Sequence, residues 1–104
     1  MIRVEFHEQD DALIGFTVSG HAGAGAAGED IVCAAVSSAA YMTANTITEI
    51  VHAPAAIAVD DGYMHVTVTD AVDDCQVILH GFLLHLQQMQ TQYPTRVHLT
   101  ITEV

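Results

Sequence analysis

The stretch Gly20 to Ser38 reads GHAGAGAAGEDIVCAAVSS, and four of its first nine residues are glycine. That glycine density makes a regular element costly, so the first half is a loop. Before it, Leu13 to Ser19 alternates, with Ile14, Phe16 and Val18 on the expected inner face. After it, Asp30 is a good helix N-cap, and a helical pattern runs from Ile31 to about His52. Its inner stripe is Val32, Val36, Ala39, Ala40, Thr43, Ile47 and Ile50, and Pro54 lies just past its end. The segment is therefore a strand, a glycine loop and a long helix.

Outward from this centre, Met1 to His7 alternates with Ile2, Val4 and Phe6 on one face. Gln9-Asp10-Asp11 is a turn, so the strand before the loop belongs to an antiparallel hairpin. Ala56 to Val59 and Tyr63 to Thr69 form a second hairpin around the turn signal Asp61-Gly62. Asp70 is expected to cap a second helix that runs to about Tyr93, with Val72, Cys75, Leu79, Phe82, Leu83, Leu86 and Met89 as its apolar face. Pro94 stops it. Arg96 to Glu103 alternates again, with Val97, Leu99 and Ile101 inward. The order ββαββαβ predicts one α+β domain over residues 1–104, a mostly antiparallel sheet with two helices packed on it.

Composition narrows the class. The chain has 104 residues, 51% of them hydrophobic and 14% charged, which suits one folded core and argues against disorder. Thirteen acidic residues face only two cationic side chains, for a net charge of −11. Such a field repels nucleic acid and draws in basic peptides. Cys33 and Cys75 have no metal or redox spacing, so free thiols in a reducing cytoplasm are expected. The opening MIRVEFHEQD is not read as a signal peptide, and no apolar run is expected to span a membrane.

Chemistry concentrates in the opening stretch. With Asp30 as cap, Cys33 is the third helical residue, beside the unpaired amides and positive dipole end of the first turn. A thiolate is favoured in such places. Glu29 and Asp30 oppose it by like charge. His21 ends the second strand twelve residues earlier, and a loop of that length closes easily. The two residues can form a thiolate–imidazolium pair, with His21 protonating the leaving amine. Amides of the first helical turn and the glycine loop would bind the oxyanion. Ser37, one turn beyond Cys33, adds a hydrogen bond. The plainer reading makes Cys33 a small buried hydrophobe and His21 a surface residue; Cys75 is read as core.

GHA, a glycine-bearing loop and then DIVCAAVSS resemble the signature of the bacterial ribosomal-processing cysteine proteases, the Prp family. Chain length and element order fit as well. The resemblance implies that His21 and Cys33 are the catalytic pair, that Gly20 is a hinge, and that Asp30 and Ser37 support them. It further implies that the loop containing Ala22, Gly23, Gly25 and Gly28 covers the substrate. Members are homodimers without a cofactor or metal. They remove a short N-terminal extension from a large-subunit ribosomal protein, number twenty-seven of its series. Relatives often carry bulkier residues in this loop, which here is nearly all Gly and Ala.

Three rivals make different predictions. Gly23 to Gly28 matches GxGxxG, a nucleotide-binding signal, but the strand before it reads as antiparallel and two carboxylates follow it. Among the seven histidines, His80 and His85 are five apart and so on different helix faces, and His7, His65 and His98 sit at polar strand positions. A non-catalytic dimeric binding module would keep the fold and leave the pair unused.

Overall fold

The structure is a computed structural model that describes residues 1–20 and 29–104, with side chains in the second part from residue 31 onward. Its strands are β1 (Ile2–Gln9), β2 (Ala12–Ser19), β3 (Ala55–Asp60), β4 (Tyr63–Val68) and β5 (Val97–Glu103). Its long helices are α1 (Glu29–Asn45) and α2 (Gln76–Gln92). The strands make one sheet in the order β3-β4-β2-β1-β5. Three of its pairings are antiparallel, and β5 runs parallel to β1. The α+β reading and the ββαββαβ order hold.

Alternation explains the layering. Ile2, Val4 and Phe6 of β1, Phe16 and Val18 of β2, Met64, Val66 and Val68 of β4, and Val97 of β5 are all buried. They share one face of the sheet, because successive strand side chains point to opposite faces. Both helices cover that face. At its centre the rings of Phe6, Phe16 and Phe82 lie within 6.1 Å of one another, Phe82 edge-on to Phe16. The uncovered face carries Arg3, Glu5, His7, Thr17, His65 and Thr67.

Several sequence expectations are corrected. In β2 the fully buried residue is Leu13 rather than Ile14. A bulge between His7 and Glu8 shifts the register, so Leu13 opposes Glu8 while Gly15 opposes His7; one extra residue exchanges the faces. Pairing of β2 with β4 begins only at Gly15. The Gln76 side chain therefore serves the Leu13 backbone, accepting from its N–H at 3.0 Å and donating to its carbonyl at 2.8 Å.

In the first helix, Asp30 is the second residue of α1 and not its cap. Ile50 is 73% exposed rather than inward. The helix widens into a π turn at Thr46–Ile50, where Val51 N–H reaches back to the Thr46 carbonyl, and the added residue per turn rotates Ile50 off the stripe. The run Ile31–Ile50 is, by length and composition, apolar enough to cross a membrane, contrary to expectation. Val32, Val36, Ala40, Thr43, Ala44 and Ile47 nevertheless lie buried along one side, the pattern of a core helix.

Asp70 does not cap α2. Its carboxylate accepts from the Ala71 N–H at 2.8 Å, Ala71 takes a left-handed φ of 57°, and a 3-10 turn at Val72–Cys75 leads into the helix. Ile101 is half exposed, because β5 is an edge strand.

Candidate active site

The element ends converge on one cavity. A pocket of about 230 Å³ lies between the start of α1 and the turn joining β3 to β4. Its apolar floor includes Ile2, Val18, Val36, Ala40 and Met64, all buried. Cys33, Ser37 and Tyr41 line it from α1. They recur every four residues, which places them on one helix face. Asp60, Asp61, Gly62 and Tyr63 form its opposite wall, and Gly20 closes the end nearest β2.

Gly20 is tied into this wall. Its N–H donates to the Gly62 carbonyl at 3.1 Å. Its φ is +97°, and an added Cβ would strike the Met1 carbonyl oxygen. Only glycine fits such a close approach with a left-handed φ. Gly20 is therefore held close to both Gly62 and Met1 in this structure.

Cys33 is half buried and lines the pocket. It is the fifth residue of α1 and not the third, so it sits just beyond the four amides that lack intrahelical partners. Cys75 is 0% exposed; burial, with Asp74 adding to it, pushes its thiol pKa up. Only Cys33 of the two cysteines is placed to meet a substrate. His21, Ala22, Gly23, Gly25 and Gly28 lie outside the described residues, as does the side chain of Asp30. The chain direction is still informative. Gly20, the residue before His21 in the sequence, lines the same pocket as Cys33.

The sequence reading overlooked Tyr41, Asp60, Asp61 and Tyr63. Tyr41 carried one usable signal, its eight-residue spacing from Cys33. Asp61-Gly62 was legible as a turn, but nothing local says that this turn faces α1. The GxGxxG rival loses its structural context, since β2 pairs antiparallel on both sides. Among the described residues, no three His, Cys, Asp or Glu side chains gather as a metal site would need.

Comparison with known proteins bears on what this pocket does. The family described as cysteine protease Prp matches residues 1–98. The chain belongs to that family. A Prp named ribosomal processing cysteine protease, from Staphylococcus aureus, is 31% identical over 103 residues, covering 95% of this chain and 97% of its own. A crystal structure of the Staphylococcus aureus Prp with a substrate peptide superposes with a TM-score of 0.89 at 29% identity, covering 98% of this chain and 100% of the other. A second, with a covalently linked product peptide, gives 0.87 at 30% identity and the same coverage. This protein is accordingly a cysteine protease, and its fold is that of the solved Prp structures.

Proposed function

We propose that the chain is an endopeptidase that removes a short N-terminal extension from a large-subunit ribosomal protein, number twenty-seven of its series. Cys33 is the nucleophile and His21 its base. The observation that carries this reading is that Gly20, the residue before His21 in the sequence, and Cys33 line one pocket, while Cys75 is buried. The names of the Staphylococcus aureus relatives, and the substrate and product peptides solved with them, support the substrate class.

The Cys33 thiolate attacks the scissile carbonyl carbon, and an S–C bond forms. The tetrahedral oxyanion collapses with cleavage of the C–N bond, and the His21 imidazolium gives its proton to the departing amine. Water, deprotonated by His21, then hydrolyses the thioester and frees Cys33. Ser37, on the same helix face, supports the reacting group. Asp30 supports the pair, and Ala22, Gly23, Gly25 and Gly28 belong to the loop that covers the substrate. The protein acts as a cytoplasmic homodimer, as its family implies, and its net charge of −11 draws in the basic extension.

The test is incubation with a peptide spanning the extended N-terminus of that ribosomal protein, read by mass spectrometry. Wild type cuts at one bond and Cys33→Ser does not. Cleavage by both proteins, or by neither, rejects the reading.

A further inference from the structure

Among the described residues, β3 is an edge strand of the sheet. Between Ala55 and Val59 it carries no charge, proline or bulge, the devices by which proteins usually protect such an edge. The opposite edge strand, β5, carries His98, Thr100, Thr102 and Glu103. Ile57 and Val59 are 43% and 51% exposed. The register shows which backbone groups face outward. Asp60 pairs with Tyr63 across a two-residue turn, and at the other end Thr69 N–H donates to the Pro54 carbonyl at 2.9 Å. Antiparallel pairs alternate between bonded and non-bonded, so Ala56, Ala58 and Asp60 bond to β4. Ala55, Ile57 and Val59 turn their N–H and carbonyl groups to the free edge, where no described strand pairs with them.

This edge leads directly to the active site, because Asp60, its last residue, lines the pocket that Cys33 lines. We propose that β3 is the docking rail for the substrate: an extended basic peptide adds to it as a sixth strand, bonded through the backbone of Ala55, Ile57 and Val59, and so passes the pocket. Strand addition of this kind takes affinity from main-chain hydrogen bonds. Six residues at about 3.3 Å each give a track of roughly 20 Å, long enough to fix the peptide's register before it reaches Cys33. Charge selects the occupant. Two copies of this chain, each at −11, repel along a shared edge that ends in Asp60 and Asp61, whereas a basic peptide is attracted to it. The proposal rests on the peptidase reading above and specifies how that site is addressed.

The experiment measures amide exchange at Ile57 and Val59 in the full-length Cys33→Ser chain. The probes are a basic alternating lysine–valine heptapeptide and, separately, the ribosomal-protein peptide. Either peptide should slow exchange at those two amides about ten-fold, and N-methylation of every second peptide amide should abolish the effect. Ile57→Pro, which removes one outward N–H at an edge position that tolerates proline, should weaken binding of both peptides, and Ile57→Ala should weaken it less. Unchanged exchange at millimolar peptide, or protection that ignores N-methylation, overturns the proposal. Cleavage of the ribosomal peptide by wild type without protection at β3 defeats the rail and leaves the function standing. Protection by the lysine–valine peptide without cleavage of the ribosomal one does the reverse.

Discussion

The amide of Gly20 is hydrogen-bonded to the carbonyl of Gly62, across the mouth of the pocket that holds Cys33. This bond joins the residue after β2 to the β3–β4 turn on the far wall of the pocket. A residue with a side chain at position 20 would have to adopt a strained φ of +97° and also displace the Met1 backbone. Gly20→Ala is therefore expected to destabilise the fold by about 1–3 kcal/mol and to lower processing more than ten-fold, about what a small misplacement of a catalytic group costs. Urea denaturation alongside the peptide assay checks both. Wild-type stability together with wild-type turnover would show that the Gly20–Gly62 link is dispensable.

Gly15 is the second glycine with a steric duty. An added Cβ there would run into the Val66 carbonyl oxygen of β4, where Gly15 pairs with Thr67. Gly15→Ala should cost about 1–3 kcal/mol through forced separation of the two strands. Its signature is faster amide exchange along β2–β4 than along β1–β2. A uniform change across the sheet would point to a different cause.

The two thiols should differ sharply in reactivity. Cys33 lines the pocket and Cys75 is wholly buried with its thiol pKa raised. Iodoacetamide at neutral pH should label Cys33 in the folded protein and reach Cys75 only after unfolding. Peptide mapping reads the outcome, and early labelling of Cys75 would contradict the packing around it.

Stability should depend on pH through His7. Its Nε2 lies 2.9 Å from Thr17 Oγ1, which is itself 2.8 Å from His65 Nδ1, and His65 Nε2 lies 2.8 Å from Thr67 Oγ1. Burial holds His7 below its ordinary pKa of 6.5; Glu5 opposes the shift and His65 reinforces it. The unfolded chain therefore takes up this proton at higher pH than the folded one. The resulting stability is fully present above pH 6.5 and is lost as pH falls below that value toward the folded pKa. Urea midpoints should fall between about pH 7.5 and about pH 5.5, and less steeply in His7→Gln. An equal slope in the variant would assign the effect to other groups.

Much of this architecture was legible locally. The hairpin turns at Asp10-Asp11 and Asp61-Gly62, the stripe from Cys75 to Met89 and the stop at Pro94 each follow from neighbours within a few residues. The misplaced positions share one cause. Leu13 is buried because an extra residue, Ile14, bulges β2 against β1, Ile50 is exposed because the helix widens at Thr46–Ile50, and Ile101 is half exposed because no described strand lies beyond β5. Periodicity assumes uniform elements and a uniform environment, and these residues sit where neither holds. At the site, the sequence marked Cys33 and the glycine that precedes His21, but offered only helical spacing at Tyr41 and nothing at Tyr63.

By itself, then, the order of residues settled the succession ββαββαβ, the inward faces of most strands and of α2 and the acidic character, because side-chain periodicity and turn preference act over short distances. Only the tertiary structure decided that β5 lies parallel beside β1, that β3 is the outermost described strand on its side of the sheet, and that Gly20, Cys33 and the turn at Asp61-Gly62 line one cavity. Those outcomes depend on which distant strands pair and on how α1 lies over the sheet. Contacts of that range are set by packing the whole core at once.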